Sequence, residues 1–243
     1  MRQGFTRKSA VAFVLLISIA AAVGYHWSDL LDANGHMDWL LAGIWLWLAV
    51  LVCWGVRPLE DAWLVLVGLA GGAVIESWGT QTGLWRYFTD ERPPLWILPA
   101  WPVAALAIDR QARWLLCWLP EAQSPRARRS FTWSYWLLTC TFVLWMTWFI
   151  RPAWDHPATW VVCVIMGVVV VHVGDPRRDV ALFLAGSVLG VFLEYWGTSR
   201  GCWTYHTGEV PPLVAIPAHG FAALAFARAQ GLVSLNFQTL ACR

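Results

Sequence analysis

"VIESWGTQTGLWRYFTDERPPLWILPAW" occupies Val74–Trp101, and "FLEYWGTSRGCWTYHTGEVPPLVAIPAH" occupies Phe192–His219. The two stretches lie 118 residues apart and read as one sentence written twice. Working outward, Asp61 matches Asp179, Gly68 matches Gly186, Gly72 matches Gly190 and Glu76 matches Glu194. Trp78-Gly79-Thr80 matches Trp196-Gly197-Thr198, and the register continues through Trp85/Trp203, Tyr87/Tyr205 and Pro99/Pro217 to Arg110/Arg228. About 25 identities fall in roughly 53 ungapped positions, which marks an internal duplication.

Composition sets the class. Of 243 residues, 58% are hydrophobic and 13% charged, where soluble domains carry roughly 25% charge. Mean hydropathy is +0.53. The 20 tryptophans suit membrane interfaces, where a flat ring keeps one wet edge. A net charge of +2 without a basic, aromatic-interleaved patch argues against nucleic acid. The six cysteines, Cys53, Cys117, Cys140, Cys163, Cys202 and Cys242, form no CxxC pair and read mostly as small apolar residues.

An apolar helix needs about 20 residues to cross a bilayer. Eight segments are candidates: Ala10–Tyr25, Met37–Val56, Ala62–Trp78, Leu95–Trp118, Phe131–Ile150, Thr159–Gly174, Val180–Trp196 and Leu213–Leu232. In the fourth and eighth, Asp109–Arg110 and Arg228 interrupt the apolar run. Their long side chains are expected to snorkel to the interface. A re-entrant segment is the alternative, and the arginine distribution weighs against it. With the N-terminus inside, thirteen of the 17 basic residues fall on the cytoplasmic side, as the positive-inside rule requires. The expectation is an all-α polytopic protein of a bacterial-type inner membrane, with both termini cytoplasmic. It divides into tandem parallel four-helix repeats, residues 1–124 and 125–243. A cleaved signal peptide at "MRQGFTRKSAVAFVLLISIAAAVG" is the competing reading of the N-terminus, and the repeat weighs against it because removal would leave unequal halves.

Within each repeat, Gly68/Gly72 and Gly186/Gly190 form small-xxx-small faces for close helix approach. Glu76 follows Asp61 by 15 positions, about 22 Å along a helix, which places it just beneath the outer interface. It shares a face with Gly72 and should point into the bundle. Carboxylates inside a membrane are costly and mark functional cavities. Burial favours the neutral acid, which can donate a proton. Glu76 and Glu194 are therefore the candidate catalytic residues. Trp78, Trp85, Tyr87 and Trp101 surround the first, and Trp196, Trp203, Tyr205 and His219 the second. Trp101 becomes His219 in the second copy, the one informative divergence. The plainer reading makes each Glu–Trp–Gly an interfacial anchor, with glycine as helix cap and Pro-Pro as a helix start. Asp61 and Asp179 read as acids at helix N-termini. His172 reads as a packed bundle residue. His26, His36, His156 and His206 read as outer-loop residues without a metal-binding pattern.

The stretch Glu76-x-x-Gly79-x-x-Thr82-Gly83-x-x-x-Tyr87, followed by Pro94, Pro99 and Trp101, resembles the polytopic carotenoid-biosynthesis family that includes the carotene hydratases. Trp85 stands where that family carries a glycine. The resemblance implies acid-initiated chemistry on a polyene: a neutral Glu76 or Glu194 protonates a terminal double bond, and the indoles of Trp78, Trp85, Trp196 and Trp203 stabilise the carbocation. It implies no cofactor and no metal, and a membrane lipid or apolar small molecule as partner. Two other classes fit the same residues: a proton-coupled transporter of a small solute or lipid, and a non-catalytic membrane scaffold. The oligomeric state is not legible from the sequence.

Overall fold

The computed structural model describes residues 4–32, 39–171 and 174–241. His36, Met37, His172 and Cys242, read above from the sequence, lie outside them. The described chain is mostly helical: α1 (Arg7–Asp32), α2 (Trp39–Cys53), α3 (Pro58–Gln81), α4 (Ala100–Leu116), α5 (Pro125–Phe149), α6 (Pro157–Val171), α7 (Pro176–Ser199) and α8 (Ala215–Ala241). All eight expected helices form. His26 falls inside α1 rather than in a loop.

The chain signals explain the boundaries. Pro58 opens α3 with Glu60 and Asp61 in its first turn, where acids oppose the helix dipole. Asp175 caps α7 by accepting from the backbone of Arg177 and Arg178, with Pro176 at the first helical position. Both helices run past the repeated Trp-Gly-Thr. They stop only before Gly83 and Gly201, whose φ of 72° and 66° need a residue without Cβ. Gly79 and Gly197 thus lie inside the helices and are not caps. The paired prolines do not start helices either. Pro94 precedes only a 3-10 turn at Leu95–Ile97, and α4 begins at Ala100.

One element was not expected from the sequence. Strands β1 (Trp85–Tyr87) and β2 (Trp203–Tyr205) pair antiparallel as a two-stranded ribbon. The register sets Trp85 opposite Tyr205, Arg86 opposite Thr204 and Tyr87 opposite Trp203. Since Trp85 matches Trp203 and Tyr87 matches Tyr205 in the duplication, the ribbon is symmetric about the Arg86–Thr204 pair. β1 follows α3 and β2 follows α7, so these two helices end on the same side of the bundle.

Beneath the ribbon, α3, α4, α7 and α8 form the centre. α3 packs on α4 and α8, while α7 packs on α8 and α4, so each half completes the other. α2 lies against α4, α6 against α8, and α5 against α7. The glycine faces do what their spacing promised. A Cβ on Gly186 would stand 2.7 Å from the Gly220 Cα, and one on Gly220 would stand 2.5 Å from the Phe183 carbonyl. The backbones of α7 and α8 therefore touch.

At the end opposite the ribbon, the duplicated acids meet the duplicated arginines. Arg110 is 4% exposed. Its guanidinium pairs with Asp61, and its Nε donates to the Trp54 carbonyl. Arg228 pairs with Asp179 at 2.7 Å, donates to the carbonyls of Val169 and Val170, and lies 5.1 Å from the centre of the Tyr135 ring. These arginines turn inward and do not snorkel. Asp61 also accepts from the Arg57 backbone, so it caps its helix as well. Asp179 does not, since Asp175 has that role.

Among the described residues, α3 and α7 are long and apolar enough to cross a membrane by length and composition. Ala42–Cys53 and Pro157–Val171 are apolar but shorter. Removing one partner of a buried ion pair strands the other, at a cost of about 3–5 kcal/mol. Arg110→Met should therefore lower the thermal transition of the purified protein markedly. The double variant Asp61→Asn/Arg110→Met should recover much of that loss. A double-variant loss equal to the sum of the losses in Arg110→Met and Asp61→Asn alone would show the pair to be uncoupled.

Candidate functional site

Glu76 ends the apolar part of α3 and is 4% exposed, in a place where helical backbone donors are already used. Its carboxylate must find side-chain donors, and three reach it. Trp85 Nε1 donates to Oε2 at 3.0 Å, Trp101 Nε1 to Oε1 at 3.1 Å, and the Tyr87 hydroxyl to Oε1 at 2.9 Å. Trp85 and Tyr87 are two apart on β1 and so project from one face of the ribbon. Trp101 comes from the first turn of α4, and its ring packs where a Cβ on Gly72 would otherwise lie, 2.3 Å away.

The second half repeats the arrangement. Glu194 is 3% exposed. Trp203 Nε1 donates to its Oε2 at 3.1 Å, and the Tyr205 hydroxyl lies 3.0 and 2.9 Å from its two oxygens. The place of Trp101 is taken by His219, whose Nε2 lies 2.9 Å from Oε1. Burial, and then the adjoining carboxylate, push both the Tyr87 and Tyr205 hydroxyls well above the usual phenol range. Both phenols therefore remain protonated and keep donating.

The two centres are one cluster. Ribbon pairing brings Trp85 against Tyr205, with ring centres 6.2 Å apart, and Tyr87 against Trp203 at 5.9 Å. Trp101 and His219 stack with 18° between their planes and 6.1 Å between centres. Each glutamate thus touches, through a single ring, a ring that serves the other glutamate.

Trp78 and Trp196 stand outside the hydrogen-bonded set. Trp78 donates to Thr159 and meets Trp85 edge-on at 6.2 Å, and Trp196 meets Trp203 at 6.3 Å. His206 donates from Nε2 to the Phe149 carbonyl. Sequence reasoning missed four contributors: the glycines Gly79 and Gly197, and the threonines Thr80 and Thr198, whose hydroxyls donate back to the Glu76 and Glu194 carbonyls at 2.6 Å. Their invariance between the copies was the available signal. The six-membered edges of the Trp85 and Trp203 indoles occupy the space of the missing glycine side chains, since a Cβ on either glycine would fall 1.9 Å from the ring. Among the described residues no group of three or more His, Cys, Asp or Glu is placed to hold a metal ion. A cleft of about 600 Å³ opens at the other end of the molecule, between Arg128, Thr132, Asp175 and Arg177, and does not reach the glutamates.

Gly79→Ala should dislodge the Trp85 indole and cost about 1–3 kcal/mol, as overpacking a filled site does. Gly167→Ala in α6, where a Cβ meets nothing within 4 Å, should be neutral or stabilising by roughly 0.5–1 kcal/mol. Thermal melts of the two variants decide it, and equal behaviour would contradict the seat assigned to Trp85.

Comparison of the chain with protein-family models, with curated proteins and with solved structures returns no match.

Proposed function

We propose that the protein is a multi-pass membrane protein, with eight spans arranged as two parallel four-helix repeats, that binds an apolar isoprenoid-type lipid and modifies it by carboxylate acid chemistry. The observation that carries this reading is the convergence of two buried glutamates and eight aromatic or imidazole rings on one cluster under the ribbon. Carboxylates at such depth are retained where a protein uses them. Indole and phenol faces favour a nearby positive charge, which is what protonation of a polyene creates. Eight helices among the described residues support this reading, and of these α3 and α7 are long and apolar enough to cross a membrane. The excess of basic residues at the end away from the ribbon favours an orientation with the ribbon and both glutamates toward the outer leaflet.

A second reading has a specific observation in its favour. Every carboxylate oxygen already meets a donor or the His219 ring. Such hubs pin the ribbon to the helices, and a scaffold needs nothing more.

Mass spectrometry of lipids that co-purify with the detergent-extracted protein separates the two. The wild type should carry an enriched isoprenoid or polyene, and a Glu76→Gln/Glu194→Gln variant that still shows a cooperative thermal transition should carry less of it or a chemically altered form. Bulk phospholipid alone on both proteins would overturn the enzyme reading in favour of the scaffold.

A further inference from the structure

The two glutamates have the same surroundings in all but one position, and that position decides what a proton can do. An indole N–H only donates. Trp85 and Trp101 together point donor-only groups at both oxygens of Glu76. A proton on Glu76 has the Tyr87 oxygen as its one acceptor in the described set, and that hydroxyl is itself donating. Glu194 faces a donor-only group on Oε2 alone, from Trp203. On Oε1 it faces His219 Nε2, which donates or accepts according to its tautomer.

We infer that Glu194 and His219 are the proton-exchanging pair of the cluster, and that Glu76 is a fixed acceptor that positions Trp85, Tyr87 and Trp101 around it. The exchange is balanced within the pair. A proton on His219 Nε2 passes to Glu194 Oε1, leaving a neutral imidazole and a carboxylic acid, and the reverse step restores imidazolium and carboxylate. His219 is also the more open member: its side chain is 18% exposed against 4% for that of Glu194. It is thus the group through which the proton enters or leaves. The inference deepens the proposed chemistry of the same site. It rests on that reading only for the use to which the proton is put, whether it goes to a substrate double bond or to another acceptor.

Few other charges face the pair. α3 contributes Glu76, β1 contributes Tyr87 and the exposed Arg86, and β2 contributes Tyr205. His206, beyond β2, is bonded to the Phe149 carbonyl. On α4 and α8 the next charged residues, Asp109–Arg110 and Arg228, lie eight or nine positions down the helix, about 12–14 Å away, and Arg110 and Arg228 are engaged with Asp61 and Asp179. α5 ends here at Phe149, without a charged residue in its last turn.

The test needs no substrate. Infrared difference spectra of the full chain in lipid nanodiscs, recorded across a pH ramp, report protonated carboxyl groups directly. Wild type should show a pH-dependent carboxylic C=O band that Glu194→Gln removes, Glu76→Gln retains, and His219→Trp shifts or removes. Stability supplies an independent readout. In Glu76→Gln the amide NH₂ must face an indole N–H whichever way it turns. In Glu194→Gln the NH₂ faces His219 Nε2 and the Tyr205 oxygen, both able to accept. Glu76→Gln should therefore have the lower Tm of the two. A band removed by Glu76→Gln, a band indifferent to both substitutions, no titrating band in wild type, or Glu194→Gln as the less stable variant would each overturn the assignment. None of these outcomes depends on which lipid co-purifies, so the failure of this inference and the failure of the isoprenoid reading are distinguishable.

Discussion

A carboxylate buried in an apolar bundle must be met by hydrogen-bond donors, and most of the architecture around the ribbon follows from that requirement. A helix cannot supply them, because past its first turn every backbone N–H is already committed to a carbonyl four residues back. Glu76 and Glu194 sit far from the starts of α3 and α7, so their donors come from elsewhere in the chain. A strand presents alternate side chains on one face. Trp85-Arg86-Tyr87 therefore brings an indole and a phenol to the same glutamate while Arg86 stays exposed. The strand must lie over the helix end to do this. Two such strands, one from each half, then lie side by side and complete each other's backbone bonds. The ribbon is the geometric consequence of two buried acids that each recruit a strand.

The opposite end of the four central helices is governed by the same constraint with a different solution. Asp61 and Asp179 are met by arginines nine residues below Trp101 and His219 on the same helices. Each hairpin of α3 with α4, or of α7 with α8, is therefore tied twice, by a carboxylate–aromatic set at one end and a carboxylate–guanidinium pair at the other. Between the ties the contact relies on small residues such as Gly186 and Gly220, which gain nothing from hydrophobic contrast if lipid surrounds them and so depend on close approach. The polar ties set register along the hairpins, and the glycines set spacing.

Much of this was legible. The eight helices, the inward aim of Glu76 and the glycine faces all follow from hydropathy, identity at a fixed offset and the periodicity of a helix. The roles of particular residues were harder to read. Arg110 and Arg228 look like snorkelling side chains because a single apolar run with an arginine at its end gives no hint of a partner 49 positions away. Their identity in both copies, together with that of Asp61 and Asp179, was the clue to a pair. Gly79 and Gly197 look like caps because glycine ends helices so often. Only the three-dimensional path of β1 and β2, which folds each indole back over its own helix, shows them to be seats. A three-residue strand whose partner lies 118 positions away has no local signature, so the ribbon was invisible to periodicity.

The stack of Trp101 on His219 carries the argument one step further. Both rings occupy equivalent places in the duplication, and both are flat, so exchanging one for the other preserves the stack and the bond to the glutamate beneath. What changes is hydrogen-bond sense: the indole nitrogen is fixed as a donor, whereas the imidazole nitrogen is not. A symmetric pair of sites with two tryptophans would bind two carboxylates alike and leave neither with a proton acceptor on α4 or α8. Replacing one tryptophan by histidine breaks that equality at a single atom while leaving the packing of four helices and a ribbon in place. The duplicated frame thus supplies rigidity on the Glu76 side, and the lone imidazole supplies chemical freedom on the Glu194 side, within one contiguous set of rings.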